Sequence, residues 1–258
     1  MYSKEELQRG LSTRLIGRKL FVFDHIDSTN TCAKALGDAG TDEGAVVLTD
    51  FQTQGKGRLG RTWNAEPGSN LLFTVLLRPQ LAEETSNLLT FFAAVAVAKA
   101  IEFVTKRTIE CKWPNDLLLN GKKCCGILLE SSFKKNKLDY SVIGIGLNVN
   151  QKVFTPELSL SATSLAQECE AEFDRKQLLH RILEQMDFLY DDVRVGQFDR
   201  VLSEWQERSS MIGKSVTVSG YNNSFTGTVM SISTNGGLII KTARGLATVY
   251  AGDVQINQ

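Results

Sequence analysis

The chain predicts an α+β protein, with a mixed, largely antiparallel sheet and helices over residues 1–209 and a small all-β barrel over residues 210–258. Three observations carry this reading. Between residues 108 and 147, apolar/polar alternation recurs in successive runs joined only by short turns. Two long stretches, 85–105 and 175–190, keep helical spacing instead. After Gly213, about five short alternating runs fill the last 45 or so residues, which leaves no room for a helix layer.

The elements follow in order. Residues 4–15 read as a short polar helix, and Lys19–Ile26 (KLFVFDHI) alternates as a strand does. Asp27, Ser28, Thr29 and Asn30 are all helix N-cap residues, and a short helix after them ends near Gly37 or Gly40. Strands are expected at 45–49 and at Leu71–Leu77, the latter closed by Pro79, with a glycine-rich stretch between them. Residues 85–105 form the longest expected helix, apolar on most sides at its centre and therefore buried. Strands at 108–113, 117–119, 126–133 and 140–147 follow, with turns at Asn120-Gly121 and 134–137. Asp174 caps a helix bearing Leu178, Leu179, Ile182, Leu183, Met186, Leu189 and Tyr190 at helical spacing, and a shorter helix covers 197–208. The barrel strands are separated by turns at Asn222-Asn223, 235–237 and Arg244-Gly245.

Composition narrows the function. With 29 basic and 29 acidic side chains, 42% hydrophobic and 22% charged residues, the chain is an ordinary globular protein. Zero net charge argues against coating nucleic acid or an acidic membrane with the whole surface. The apolar run 88–98 is shorter than the ~20 residues of a membrane span, and the first ten residues lack a signal peptide's pattern, so no membrane role is expected. Five cysteines without CxxC spacing speak against a zinc ribbon or a disulfide framework and for a reducing, cytoplasmic setting. Two histidines exclude multi-histidine metal sites, and there is no GxSxG elbow.

The most informative segment is QGKGRLGRTW at 54–63. Its glycines let backbone N–H groups approach an anion, and Lys56, Arg58 and Arg61 add charge with no acid nearby; the alternative is a mobile surface loop. The segment also fits GxGxxG and nearly fits a P-loop. Both motifs need a helix directly after the glycines, and TWNAEPGSN with Pro67 and Gly68 does not supply one. A second group is Lys112, Trp113, Pro114, Asn115 and Asp116, followed by Gly121, Lys122, Lys123 and Gly126. Either Lys123 turns inward to meet a carboxylate or phosphate, with Asn115 and Asp116 near a nucleotide's Mg²⁺, or this is a hairpin with solvated lysines. Ser28, Thr29 and Asn30 either cap a helix or present donors and acceptors to a neutral polar ring. The alternating glycines of GIGLNVN, 144–150, point to close approach by a ligand or backbone, or to a bulge.

In this order and spacing, STN, GKGRLGRTW, KWPNDLLLNGKK with GIL, and GIGLNVN resemble the biotin protein ligases over residues 19–150. The C-terminal segment, with Gly227, Gly236-Gly237 and Gly252-Asp253-Val254, resembles that family's SH3-like β-barrel domain more weakly. The resemblance implies a catalytic fold of the class II aminoacyl-tRNA synthetase-like type. It implies an ATP-dependent ligase that activates biotin as biotinyl-5′-AMP, releasing pyrophosphate. Biotin then passes to one lysine of a biotin carboxyl carrier protein domain, of the acetyl-CoA carboxylase type, and AMP leaves. The bottom-up reading agrees, because bringing two anions together demands cations and Mg²⁺.

Carried over by position, the resemblance puts Ser28, Thr29, Asn30 and Gln52 at the ureido end of biotin. Lys56, Gly57 and Arg58 close over its carboxylate and the adenylate phosphate, and Gly126 lets the backbone approach. Lys123 contacts the carboxylate and α-phosphate and, with Arg58, is the expected catalytic cation. Arg61, Trp63, Lys112, Asn115 and Asn148 belong to the ATP and adenylate side, with Trp63 near the adenine and Asp116 toward Mg²⁺.

Some members of that family carry an N-terminal helix-turn-helix and act as repressors. About 18 residues precede the first strand here, so a monofunctional ligase without DNA binding is expected, as a monomer or weak homodimer. Position 56 is Lys where many relatives have Arg, which keeps charge and loses the bidentate fork. Cys124 and Cys125 beside Lys123 read as core, unless they are exposed, in which case their modification hinders ATP use. Two alternatives are a lipoate-type protein ligase and an RNA-binding adaptor built on a basic loop and a β-barrel; neutral charge weighs against the latter.

Overall fold

The computed structural model describes residues 2–135, 137–219 and 224–257. The first helix is shorter than the spacing predicts. Ser3 and Glu6 form a capping box that starts α1 (Lys4–Gln8), and Gly10, at φ 87°, turns the chain away. Strand β1 (Lys19–Ile26), helix α2 (Thr29–Asp38) and strand β2 (Ala45–Gln52) form a crossover, so β1 and β2 run parallel. Strand β3 (Leu71–Leu77) pairs antiparallel with β2.

After β3 come a short helix α3 (Glu83–Ser86) and α4 (Leu88–Thr105). Strands β4 (Glu110–Lys112), β5 (Asp116–Leu119), β6 (Lys122–Lys134) and β7 (Lys137–Leu147) complete a seven-stranded mixed sheet in the order β1-β2-β3-β7-β6-β5-β4. The expected strand at 108–113 shrinks to three residues, ending before Pro114, which has no N–H to pair. Strand β6 starts four residues before the expected Gly126, which puts Lys123 and both neighbouring cysteines on a strand. Helix α5 (Leu165–Cys169), which the sequence reading passes over, precedes α6 (Arg175–Arg194) and α7 (Asp199–Glu207). Asp174 accepts from the N–H groups of Lys176 and Gln177, and with 20 residues α6, not the 18-residue α4, is the longest helix.

Strand alternation divides the sheet. Leu71, Phe73, Val75 and Leu77 of β3, with Ile143, Ile145 and Leu147 of β7, belong to the main core, in which α4 packs on the sheet and α6 and α7 pack on α4. Helix α4 is apolar enough to pass for a membrane span, but 67% of its most apolar window is buried inside the protein. The opposite face holds a smaller cluster of Ala33, Ala45, Val47, Leu76, Tyr140 and Val142 beneath α2. Beside it, Thr74, Gly126, Gly144 and Gly146 lie on the same face and leave it open.

Residues 208–214 lead from α7 into a five-stranded antiparallel sheet: β8 (Ser215–Ser219), β9 (Ser224–Ile232), β10 (Leu238–Thr242), β11 (Gly245–Val249) and β12 (Asp253–Ile256). Its order is β11-β10-β9-β8-β12. The expected Asn222-Asn223 turn lies outside the described residues, as does Asn136 in the turn between β6 and β7. The small sheet is fastened to the large one. Trp113 Nε1 donates to Gly236 O at 3.1 Å and Asn87 Nδ2 to Asn235 O at 2.9 Å. Val216, Val229, Leu238 and Ile240 join the main core, so one continuous apolar cluster spans both sheets.

Candidate active site

The open half of that second face is a cleft of about 610 Å³. Its floor follows from register: Gly126 stands opposite Gly146 and Leu128 opposite Gly144 on the neighbouring strands β6 and β7. With no side chains at these positions, other groups come down onto the backbone. A Cβ on Gly146 would lie 2.5 Å from Trp63 Cε2, one on Gly126 2.8 Å from Trp63 Cζ3, and one on Gly144 2.1 Å from Asn30 Oδ1. Close approach therefore explains the alternating glycines.

Residues 55–63 form an arch over the floor. Gly57 N donates to Arg61 O at 2.7 Å and Trp63 N to Gly55 O at 2.9 Å, and Leu59 sits at φ 55° in the short turn between. The following residues, 64–70, form no helix, as the rejection of the P-loop and dinucleotide motifs requires. The Trp63 ring lies over Gly126 and Gly146, with Lys123 Nζ 5.5 Å from its centroid. Its indole N–H is buried without a hydrogen-bond partner among the described residues.

The polar wall is built at the start of α2. Ser28 is the N-cap, yet its side chain makes no capping bond, and Thr29 and Asn30 turn toward the sheet. Capping therefore does not account for this trio. Gln52 Oε1 accepts from both Thr29 N (2.8 Å) and Thr29 Oγ1 (3.0 Å). Asn30 Oδ1 accepts from Thr74 Oγ1 at 2.6 Å, and Asn30 Nδ2 donates to Leu128 O (3.2 Å) and Glu130 Oε2 (2.9 Å).

The cationic wall comes from the arch and from β4 to β6. Arg58 donates to Asn115 Oδ1 at 3.2 Å, and Asn115 Nδ2 anchors to Ile127 O at 2.7 Å. Burial lowers the pKa of the Arg58 guanidinium, opposed by the charges of Asp253 and Asp116. Lys123 Nζ pairs with Asp116 at 2.6 Å, and its backbone is held on both sides by Ser161 O and Thr163 N. Arg61 forms an ion pair with Asp253 of β12. Lys56 turns to Thr31 Oγ1 at 2.8 Å. Asn148 donates to Thr163 O while its own Oδ1 is buried and unpaired among the described residues.

All the residues singled out from the sequence line this cleft: Ser28, Thr29, Asn30, Gln52, Lys56, Gly57, Arg58, Arg61, Trp63, Lys112, Asn115, Asp116, Lys123, Gly126 and Asn148. Sequence reasoning passed over Thr74 and Glu130, and it quoted Asp253 for the C-terminal resemblance without giving it a place in the site. Thr74 carried a readable signal as the lone polar residue of LLFTVLL. Glu130 shares the period-two face of Gly126 and Leu128, whereas nothing in the Gly252-Asp253-Val254 motif tells that Asp253 reaches this cleft. Cys124 and Cys125 are fully buried on β6, and burial pushes the Cys124 thiol up to about 12.

A model of the Biotin/lipoate A/B protein ligase family matches residues 22–148, and a model of the Biotin protein ligase C terminal domain matches residues 211–256. The chain is 34% identical over 256 residues to the bifunctional ligase/repressor BirA of Bacillus subtilis (strain 168), covering 98% of this chain and 79% of that protein. It is 30% identical to the biotin–[acetyl-CoA-carboxylase] ligase of Mycobacterium tuberculosis, covering 96% and 94%. Among solved structures it is similar to the biotin protein ligase from Aquifex aeolicus in complex with biotin and ATP, with TM-score 0.78, 29% identity and coverage of 93% and 99%. With a relative this similar over nearly its whole length, and both domains matched in order, the chain belongs to the biotin protein ligase family.

Proposed function

We propose that this cleft joins biotin to ATP as biotinyl-5′-AMP and then delivers biotin to a lysine of a biotin carboxyl carrier protein domain of a biotin-dependent carboxylase, in the cytoplasm. The observation that carries the reading is the charge and polarity of one cavity. Five cations (Lys56, Arg58, Arg61, Lys112, Lys123) face it against two carboxylates (Asp116, Asp253), while its other end is a neutral wall of hydroxyls and amides. A ligand with a neutral polar head and a carboxylate tail, meeting a triphosphate, needs such a division.

In the first step the biotin carboxylate attacks the α-phosphorus and pyrophosphate leaves. Ser28, Thr29, Asn30 and Gln52 hold the ureido ring, and Gly126 lets the backbone lie against it. Lys123 shields the carboxylate from the α-phosphate and stabilises charge on the equatorial oxygens, its backbone clamped by the 161–163 segment. Its partner Asp116 keeps the ammonium aimed into the cleft until the phosphate replaces that carboxylate. Arg58 and Arg61, on the arch, close over the adenylate and exclude water. Trp63 covers Gly126 and Gly146, so the arch carries the indole off the floor when biotin enters; the ring then offers its face to adenine, with Lys112, Asn115 and Asn148 on the nucleotide side.

A Mg²⁺ carried by the nucleotide would neutralise phosphate charge. No cluster of three or more metal-ligating side chains stands among the described residues, and a phosphate-borne Mg²⁺ needs only one or two protein carboxylates, a role that Asp116 in the cleft lining would fill. In the second step the acceptor lysine's amine attacks the acyl carbon, and AMP leaves.

The test is exchange of labelled pyrophosphate into ATP with biotin or lipoate. Biotin-dependent exchange is expected, falling by about 10² to 10³ in Lys123→Ala at unchanged circular dichroism. Arg58→Ala is expected to release the adenylate faster while still forming it. A folded parent that shows no exchange with biotin and Mg²⁺ overturns the reading, and exchange with lipoate alone moves it to the lipoate ligases.

A further inference from the structure

We infer that Glu130 is a positioning residue for the ring-recognising end of the cleft: it sets the orientation of the Asn30 amide, so that an acceptor and not a donor faces the ligand's ring N–H. The inference rests on the reading of the cleft as a biotin site.

An asparagine amide has a donor end and an acceptor end of nearly equal shape, and only its partners decide which way it lies. Here the partners on one side are acceptors without protons to give. Asn30 Nδ2 meets the carboxylate of Glu130 at 2.9 Å and the carbonyl of Leu128 at 3.2 Å. The opposite end, Oδ1, lies over the bare backbone of Gly144 on the cleft floor and accepts from Thr74 Oγ1. The Leu128 carbonyl contributes to this preference, but its bond is longer and uncharged, so the carboxylate dominates. Burial raises the Glu130 pKa, while Lys34 and Asn30 outweigh it and leave the group below its ordinary value, so it stays an acceptor-only carboxylate near neutral pH.

The same logic polarises the other end of the wall. Thr29 N is donor-only and takes Gln52 Oε1, which turns Gln52 Nε2 away as a donor without a partner among the described residues. A wall with a fixed acceptor at Asn30 and a fixed donor at Gln52 complements a cyclic urea, which offers N–H groups and one carbonyl. Glu130 itself lies behind Asn30, outside the cleft lining, and acts only through that amide. Lys34 pairs with its other oxygen at 2.9 Å from the exposed side of α2.

The experiment measures KM for biotin, KM for ATP and kcat in pyrophosphate exchange, with thermal melts of every variant. Glu130→Gln, which offers Asn30 a donor as readily as an acceptor, is expected to raise KM for biotin about tenfold, with kcat and KM for ATP within about twofold of the parent. Lys34→Met, which removes only the outer partner, is expected to leave all three within about twofold. Should Glu130→Gln fail to fold, Glu130→Asp withdraws the carboxylate from Asn30 with less disturbance and carries the same expectation.

A charge-conserving swap supplies the rescue. Asn30→Asp alone sets two carboxylates face to face and is expected to raise KM for biotin about a hundredfold; adding Glu130→Gln restores a donor opposite it and recovers about tenfold. A biotin KM in Glu130→Gln within twofold of the parent's, or a double variant no better than Asn30→Asp, overturns the inference. A parent inactive toward biotin overturns instead the functional reading beneath it.

Discussion

A single methyl group added at Gly144 tests how rigidly the polar wall is held. The Cβ of alanine there would stand 2.1 Å from Asn30 Oδ1 and 2.9 Å from its Cγ, so one group must yield by roughly 1 Å. Asn30 is 3% exposed and tied at three points, to Thr74, Leu128 and Glu130. A shift of that size breaks at least one of these bonds in a buried site, worth ~1–3 kcal/mol, and overpacking adds about as much. Taking ~3 kcal/mol in all, Tm should fall by about 9 °C for a chain of this length. KM for biotin should rise at least about tenfold, because Asn30 is displaced in whatever fraction stays folded.

Gly146→Ala is the matched comparison, two residues along on the same face. Its Cβ meets Trp63 at 2.5 Å, but that ring rides on the arch, and its indole N–H is tied to nothing among the described residues. It can lift away, so Tm should move by no more than about 2 °C. Differential scanning calorimetry of both variants, with exchange kinetics, decides the matter. Equal melting temperatures for Gly144→Ala and the parent would refute the claim that the wall is rigid.

Two further outcomes concern the core. Asp187 is buried on α6 and accepts from the N–H groups of Arg14, Leu15 and Ile16 at 2.8, 2.9 and 2.9 Å; burial raises its pKa, but those three bonds outweigh it and leave the group below its ordinary 3.8. A depressed carboxylate stabilises the fold above its unfolded pKa and loses that contribution as pH falls through the folded value. Asp187→Asn should therefore cost ~2 kcal/mol near pH 7, and its Tm deficit should shrink below about pH 4; a deficit independent of pH would contradict this. Cys111, Cys124 and Cys125 are fully buried, and burial holds their thiols protonated, at about 12 for the first two. Iodoacetamide at about pH 8 should thus reach only Cys32 and Cys169 in the folded protein and all five cysteines after unfolding, with nucleotide use undisturbed in the former case. Labelled Cys124 or Cys125 in a native digest would show that β6 opens.

Local chemistry was legible in the residues themselves. The alternation of KLFVFDHI, the Asp174 cap and the apolar faces of α4 and α6 are interactions within a few positions along the chain, and they predict the elements they form. The glycine-rich arch, the lysine at 123 and the STN trio were legible as chemistry for the same reason, because residue type and spacing carry it. Helix ends read less well: α1 stops at Gln8 through the backbone turn at Gly10, where the polar pattern alone would have continued. Which groups meet is another matter. Asn30 reaches Glu130 and Gly144, more than ninety residues away, only because β3, β7 and β6 pair in one register, and a slip of one residue would send all those side chains to the other face. Gly126 lies opposite Gly146 for the same reason, which joins glycines from two separate motifs into one bare patch of floor. Asp253 meets Arg61 because Trp113 and the turn at Gly236 dock the second sheet beside the cleft. Local propensity acts over a turn of chain, whereas strand register and sheet docking are long-range choices made by burying the apolar core, and those choices assembled the site.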